Sequence, residues 1–238
     1  MIIDLNCDMG ESFGAYRLGD DAGILPYITS ANIACGFHAG DGLVMDATVK
    51  MCVQAGVRVG AHPSYPDLQG FGRREMSLAP DEVEAFVLYQ VGALAGFARA
   101  AGVELTHVKP HGALYNQAAR DLSLAEAVAR AVARFSRGLI LVGLAGSALA
   151  EAAAAAGLPA AGEGFPDRAE KPDGTLRSRR LPGAVLHDPA EIAANAVRLA
   201  TEGVVTAGGR VAVQTLCLHG DNPAAVAAAK AVRAALGS

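Results

Sequence analysis

The strongest constraint on this chain is a regular alternation of short apolar runs with stretches of helical pattern. Seven runs are strand-like: the run that begins at residue 30, and residues 2–6, 57–61, 105–108, 139–142, 158–161 and 211–218. Apolar residues at helical spacing follow nearly every run, as in residues 43–55 with Gly56 at the C-terminal cap position. Alternating strands and helices predict parallel strands covered by helices.

The positions of the polar motifs favour a closed barrel over an open doubly wound sheet. Such motifs follow strands one, two, three, four, six and seven. An open sheet concentrates them near one switch point, whereas a barrel brings all strand ends to one mouth. No shift in composition marks a linker, so we expect one catalytic β/α-barrel domain over residues 1–238. Seven strands rather than eight leave the closure of the barrel open.

Composition argues against several classes of function. The chain has 238 residues and a net charge of −4 without a basic stripe, which argues against nucleic acid as the main partner. No apolar run reaches the roughly 18 residues of a membrane span, and the N-terminus lacks the pattern of a signal peptide. The four cysteines are far apart and lie mostly within apolar runs, as in reduced cytosolic proteins. These features predict a soluble cytoplasmic protein.

The first strand has one polar face. Side chains alternate along a strand, so Asp4, Asn6 and Asp8 share one face and the apolar residues between them share the other. We expect the polar face to line a site. The run that begins at residue 30 ends in a glycine-rich turn with His38 and Asp41. Glycines in this turn allow close approach of the main chain or positive φ.

The predicted strand ends together supply acids, amides and bases. In chain order these are Asp4, Asn6, Asp8, Glu11, His38, Asp41, His62, His107, Lys109, His111, Glu163, Asp167, Arg168, His219 and Asp221. Five of the six histidines fall at strand ends, which chance placement does not explain. The barrel therefore predicts that His38, His62, His111 and His219 line one pocket.

Two kinds of chemistry suit this set. Histidine and carboxylate ligands from separate strands are the usual way for a barrel to hold a catalytic divalent metal. Without metal, the same groups suit general acid–base catalysis. Lys109 and Arg168 suit the binding of a carboxylate or an oxyanion. The sequence contains no HExxH, GxSxG or CxxC motif and no Walker A loop, so any ATP is not held in a P-loop.

Six segments resemble one known family in order and span. They are DLNCDMGE at residues 4–11, ANIACGFHAGD at 31–41, GAHPS at 60–64, HVKPHG at 107–112, LILVGLAGS at 139–147 and CLHGD at 217–221. The chain is similar in these segments to the LamB/YcsF family. The resemblance implies a distorted, seven-stranded TIM-like β/α barrel related to polysaccharide deacetylase-type barrels.

The resemblance also implies an activity and its participants. The activity is hydrolytic opening of the lactam 5-oxoproline to L-glutamate, coupled to hydrolysis of ATP to ADP and phosphate, together with subunits B and C. Candidate catalytic residues are then Asp8, His38, Asp41, His62, Lys109, His111 and His219. Candidate substrate-binding residues are Asn6, Glu11, Lys109, Glu163, Asp167, Arg168 and Asp221. A divalent metal on Asp8, His38 and His62 is compatible with this set.

Two alternatives remain open from the sequence. One is a stand-alone metal-dependent deacylase or lactamase of the polysaccharide-deacetylase type, which acts without ATP or partners. The other is a non-catalytic substrate-binding subunit. The number of titratable groups argues against the second alternative, because simple binding of a small acid does not need them.

Overall fold

A computed structural model of the chain contains a closed barrel, the architecture that the positions of the polar motifs favour. It describes residues 3–171, 175–177, 181–206, 208–218 and 224–237. The barrel has seven parallel strands: β1 (Asp4–Met9), β2 (Ser30–Ala34), β3 (Arg58–His62), β4 (His107–Val108), β5 (Ile140–Leu144), β6 (Ala160–Gly164) and β9 (Thr215–Leu218). Strand β1 pairs with both β2 and β9 and so completes the closure. Two further strands, β7 (Val204–Thr206) and β8 (Gly209–Val211), form an antiparallel hairpin outside the barrel.

Eight α-helices occur in the part of the chain that the structure describes. They are α1 (Asp21–Ile24), α2 (Gly42–Ala55), α3 (Pro80–Ala100), α4 (Gly112–Ala118), α5 (Leu122–Phe135), α6 (Ala148–Ala155), α7 (Pro189–Glu202) and α8 (Ala225–Leu236). Aspartates 41, 121 and 188 cap α2, α5 and α7 by accepting main-chain N–H groups. Gly56 ends α2 with φ of 69°, as predicted. None of the described helices has the length and apolar character to cross a membrane.

The barrel strands bury two different faces. On β1, Leu5 and Cys7 belong to the apolar core that the strands share with the helices. Asn6 and Asp8 point into the barrel, where they make hydrogen bonds with side chains of other strands. The polar inward face predicted for the first strand is therefore confirmed. All four cysteines are free and buried, as their apolar surroundings in the sequence indicate.

Asp4 joins several strands at the lower end of the barrel. Its carboxylate accepts hydrogen bonds from Ser30 at 2.9 Å and Thr215 at 2.6 Å, and Arg58 lies at 2.6 Å. Burial alone would raise the pKa of Asp4, but bonds from Thr215, Thr29 and Ser30 outweigh it and lower the pKa. Asp4 is therefore part of the scaffold beneath the mouth.

Three elements differ from the sequence-based prediction. The helix expected over residues 20–29 is α1 followed by a 3₁₀ turn at Leu25–Tyr27, because Pro26 lacks a main-chain N–H. Helix α4 is not predicted, since seven residues are too few to show a helical period. The last strand, expected over 211–218, is divided between β8 and β9. The sequence does not show this break, because Ala212 and Val213 between the two strands are also apolar.

Candidate active site

The carboxyl ends of the parallel strands meet at one mouth, as expected for a β/α barrel. Most of the predicted site residues lie there, on β1, β3 and β6 or on the segments that follow β1, β2 and β4. They are Asn6, Asp8, Glu11, His38, His62, Lys109, His111 and Glu163. Gly40 allows the loop after β2 to pack closely, because its φ is +78° and a Cβ there would lie 2.7 Å from the carbonyl oxygen of Ala34.

Lys109 is buried in the mouth between two carboxylates. Its Nζ lies 2.9 Å from Asp8 Oδ1 and 2.8 Å from Glu163 Oε1, and it donates to Cys217 Sγ at 3.1 Å. Burial alone would lower the pKa of the ammonium group, but Asp8 and Glu163 outweigh burial and raise the pKa. Lys109 is therefore charged, and its donors are directed to protein groups.

Glu163 is fully buried and anchors this arrangement from β6. It accepts hydrogen bonds from Asn6 Nδ2 at 2.9 Å and from the Tyr115 hydroxyl at 2.8 Å. Burial raises the pKa of Tyr115, so its hydroxyl remains a donor. Asn32 Nδ2 donates to Asn6 Oδ1 at 2.7 Å and to Asp8 Oδ1 at 2.9 Å. The network fixes the Asp8 carboxylate through Oδ1.

Three imidazoles pack together beside Asp8. His38 stacks on His111 with ring centroids 3.8 Å apart, and His62 meets both rings at nearly right angles. His62 Nε2 lies 3.3 Å from Asp8 Oδ2 and 2.9 Å from His111 Nδ1. Glu11 Oε1 lies 3.3 Å from His38 Nε2 and 3.5 Å from His111 Nδ1. Burial lowers the pKa of both His38 and His111, and neighbouring histidines lower it further.

One group of described residues could hold a metal ion. Its members are Glu11, His38, His62 and His111, and their ligand atoms all lie within 4.8 Å of one another. Imidazole and carboxylate ligands suit first-row divalent ions. The sequence-based set differs by containing Asp8 in place of Glu11 and His111. In the structure Asp8 is engaged by Lys109 and Asn32 through Oδ1.

A loop over residues 65–76 covers the histidines and is missing from the sequence-based site. Phe71 has φ of 55°, which is uncommon outside glycine, and its carbonyl oxygen lies 2.9 Å from His111 Nε2. The guanidinium group of Arg73 lies 5.0 Å from the centroid of the Phe71 ring. The glycine-rich sequence Gly-Phe-Gly-Arg-Arg at residues 70–74 was a signal for this loop.

Two buried site residues were also missed from the sequence. Asn32 could have been found, because Ser30 and Asn32 give β2 the same polar inward face that β1 has. Tyr115 offered no such signal, since it lies on the short helix α4 and reaches Glu163 only through the fold.

Three predicted site residues make their described contacts elsewhere. Asp41 accepts bonds from the N–H groups of Leu43 and Val44, and from Gly14 at 2.6 Å; these bonds lower its pKa. Asp167 and Arg168 are buried in the irregular segment after β6. Arg168 donates to main-chain carbonyl oxygens within that segment, at residues 177 and 184. His219 and Asp221 lie outside the described residues, so three of the four histidines expected in one pocket are seen together.

The mouth combines groups that suit hydrolysis. Asp8 and Glu11 keep some exposure of their side chains, 14% and 11%, whereas His38, His62 and Lys109 are almost completely buried. A substrate or a water molecule would therefore meet the two carboxylates first. A fixed carboxylate can remove a proton from water, and a buried ammonium group stabilises negative charge that develops nearby.

The chain is similar over nearly its whole length to several known proteins. The model of the LamB/YcsF family matches residues 3–238. A protein from Chloroflexus aggregans, named as the A subunit of 5-oxoprolinase, is 59% identical over 97% of this chain and 93% of its own. A protein of the same name from Methylococcus capsulatus is 60% identical over 97% of this chain and 90% of its own. A lactam utilization protein from Thermus thermophilus, known from a crystal structure, is 50% identical in sequence to this chain. The two structures align with a TM-score of 0.93 over 100% of this chain and 96% of that one.

Proposed function

The chain belongs to the LamB/YcsF family, and from that membership we propose that it opens the lactam ring of 5-oxoproline to give L-glutamate. Relatives that are 59% and 60% identical are named as the A subunit of 5-oxoprolinase. The observation that supports the chemistry most directly is Asp8. Its carboxylate is fixed by Lys109 and Asn32 through one oxygen, and its other oxygen lies 3.3 Å from His62 Nε2.

Asp8 is the proposed general base. It would take a proton from the water that attacks the lactam carbonyl carbon. The ring C–N bond would then break as Asp8 returns this proton to the nitrogen, which leaves as the amine of glutamate. Lys109 holds Asp8 in place and supplies positive charge near the developing oxyanion. Arg73, exposed at the rim beside Phe71, is the proposed partner of the substrate carboxylate.

We propose that this reaction is coupled to hydrolysis of ATP to ADP and phosphate, in a complex with subunits B and C. A five-membered lactam is an unstrained amide, so water attacks it slowly and the ring-opening equilibrium is poor. Transfer of the γ-phosphoryl group of ATP to the amide oxygen would activate the ring carbon towards water. Addition of water and cleavage of the C–N bond would then give an acyl phosphate, which a second water molecule hydrolyses to glutamate and phosphate. Because the sequence has no P-loop, the nucleotide would be bound together with the partner subunits.

A second candidate function is a stand-alone metal-dependent deacylase. The observation that favours it is the group formed by Glu11, His38, His62 and His111, which could hold a metal ion without any partner. This function requires turnover of an amide in the absence of ATP. A purely binding subunit, by contrast, would keep its affinity for 5-oxoproline after loss of Asp8.

Reconstitution separates these functions. The chain is assayed alone and with both partner subunits, with 5-oxoproline, with and without ATP, and glutamate is followed. We expect glutamate only when the partners and ATP are present. Glutamate formation by the chain alone would instead support the deacylase.

Replacement of Asp8 tests its role in the reconstituted complex. We expect Asp8→Asn to lower the turnover by at least about a hundredfold, because asparagine keeps the bond from Lys109 but cannot accept a proton from water. Asp46→Asn, on the outer face of α2, is the matched control and should keep wild-type turnover. Turnover of Asp8→Asn within a few-fold of wild type would exclude Asp8 as the base.

A further inference from the structure

The main chain fixes the tautomers of two imidazoles in the mouth. His62 Nδ1 lies 2.7 Å from the carbonyl oxygen of Lys109, and His111 Nε2 lies 2.9 Å from the carbonyl oxygen of Phe71. A carbonyl oxygen can only accept a hydrogen bond, so each of these nitrogens carries a proton. In a neutral imidazole the other ring nitrogen then has a lone pair and no proton.

The two remaining nitrogens face each other. His62 Nε2 and His111 Nδ1 are 2.9 Å apart, which brings two lone pairs together unless a proton or a cation is shared between them. Glu11 Oε1 and His38 Nε2 lie beside them, 3.3 Å from each other. In a tetrahedral site with metal–nitrogen distances of about 2.0–2.1 Å, neighbouring ligand atoms are about 3.3 Å apart. The four side chains therefore need only small shifts to reach one ion.

Charge favours a cation over a single shared proton. Inside the mouth, three carboxylates, Asp8, Glu11 and Glu163, face one ammonium group, Lys109, an excess of two negative charges among these four. The guanidinium group of Arg73 lies nearby at the exposed rim, where water and salt screen its charge. One shared proton would offset half of this excess, and a divalent cation would offset all of it. Buried charge without compensation is costly, so the divalent cation is the better match.

We propose that Glu11, His38, His62 and His111 bind one divalent transition-metal ion of the zinc class. Three imidazoles and one carboxylate suit zinc and its neighbours, whereas magnesium and calcium prefer oxygen ligands. The carbonyl oxygens of Lys109 and Phe71 orient two of the rings, as the outer partners of metal-bound histidines do in known sites. Glu11 retains exposure to the mouth, which leaves a side of the ion open to water.

The metal site would serve the proposed reaction but does not depend on it. A metal ion there would lie next to Asp8 and would polarise a carbonyl oxygen or acidify a water molecule. Metal binding and 5-oxoproline turnover are measured separately. A chain that fails to bind metal leaves the proposed reaction standing, and failure of the reaction leaves the metal site standing.

Metal binding by the full chain tests the proposal directly. Protein stripped with a chelator is titrated with Zn²⁺ by calorimetry and with Co²⁺ by visible absorption. We expect one ion per chain, Co²⁺ bands typical of four or five ligands, and a higher Tm with Zn²⁺. Glu11→Gln and His111→Gln should each weaken binding by about tenfold or more. His187→Gln, which removes an exposed histidine outside the cluster, should bind as wild type does.

Two outcomes would overturn the proposal. The first is that the wild-type protein binds neither Zn²⁺ nor Co²⁺ stoichiometrically and that Zn²⁺ does not raise its Tm. This measurement uses the wild-type protein alone, so it does not depend on the folding of any variant. The second is that nitrogen-15 NMR of the histidines, recorded with Zn²⁺ present, shows one imidazolium proton shared between His62 and His111.

Discussion

The ammonium group of Lys109 lies within hydrogen-bond distance of two carboxylates, the partly exposed Asp8 at 2.9 Å and the buried Glu163 at 2.8 Å. Its first function is therefore to order the acid that faces the substrate, and a direct bond to the substrate would have to compete with these partners. Removing one member of a buried ion pair is costly, because the remaining charge stays buried without compensation.

Replacement of Lys109 by methionine should consequently destabilise the protein as well as inactivate it. Methionine keeps much of the apolar stem but leaves Asp8 and Glu163 facing each other without a cation. We expect the free energy of unfolding to fall by about 3–5 kcal/mol, measured by urea denaturation. Glu163→Gln added to Lys109→Met should recover part of this loss but none of the turnover. An unchanged urea midpoint for Lys109→Met would show that the pair does not carry this energy.

Titration of Asp21 makes the free energy of unfolding depend on pH. Asp21 accepts a bond from Gly10 N–H at 2.9 Å, and burial, only partly offset by that bond, raises its pKa from 3.8 to about 6. Between these values the folded chain holds a proton that the unfolded chain has released. The contribution of Asp21 to the stability of the fold is therefore greatest below about pH 4. It is lost as the pH rises from about 4 to 6, and it is smallest above pH 6.

Replacement of Asp21 by asparagine should remove this dependence. Asparagine is neutral at every pH and its side-chain oxygen can still accept the bond from Gly10. We expect Asp21→Asn to stabilise the fold by roughly 1–2 kcal/mol near neutral pH and to have almost no effect near pH 4. Thermal unfolding of the wild-type protein and of Asp21→Asn, each at pH 4 and at pH 7, measures this difference in stability. An equal difference in Tm at both would contradict the assignment.

At the level of single residues, the sequence was informative where a side chain belonged to a strand. Asn6 and Asp8 follow from the alternation of β1, and His62 from its place at the end of β3. Asp41 shows the limit. Its position after a strand suits a site residue and a helix cap equally, and only the bonds from Leu43 and Val44 distinguish the two.

The secondary-structure elements divide in the same way. Strands and long helices were predictable, because buried parallel strands and amphipathic helices of three or more turns leave a period in the sequence. The position of the loop over residues 65–76 in the site was not predictable in this way. Its place above the histidines depends on contacts such as that of Phe71 with His111, which join residues far apart in the chain.

Helix α2 offers a test at this level. Asp41 caps its first turn and also accepts a bond from Gly14, which ties the loop after β1 to the helix. We expect Asp41→Ala to lower Tm by a few degrees, because two helix N–H groups and that of Gly14 lose their acceptor. Turnover and metal affinity should stay near wild type. A loss of turnover as large as that of Asp8→Asn would return Asp41 to the catalytic residues.

For the molecule as a whole, we propose that the chain acts as one catalytic domain. The barrel is closed by pairing of β1 with β9, so neither the first nor the last barrel strand can leave without opening it. We expect a single cooperative unfolding transition in urea. The chain has no tryptophan, so far-ultraviolet circular dichroism and the near-ultraviolet signal of its tyrosines are the probes. Two transitions at separate urea concentrations would indicate more than one unit.

The pairing of β1 with β9 also has a consequence for synthesis on the ribosome. Strand β1 is the first barrel strand to be made, and its partner Thr215–Leu218 is the last. At about 5–20 residues per second, the interval is on the order of tens of seconds. Throughout it, one edge of β1 has no neighbour, and Asp8 remains in contact with water. A nascent chain released early would thus carry the acid of the site without the pocket that gives it a function.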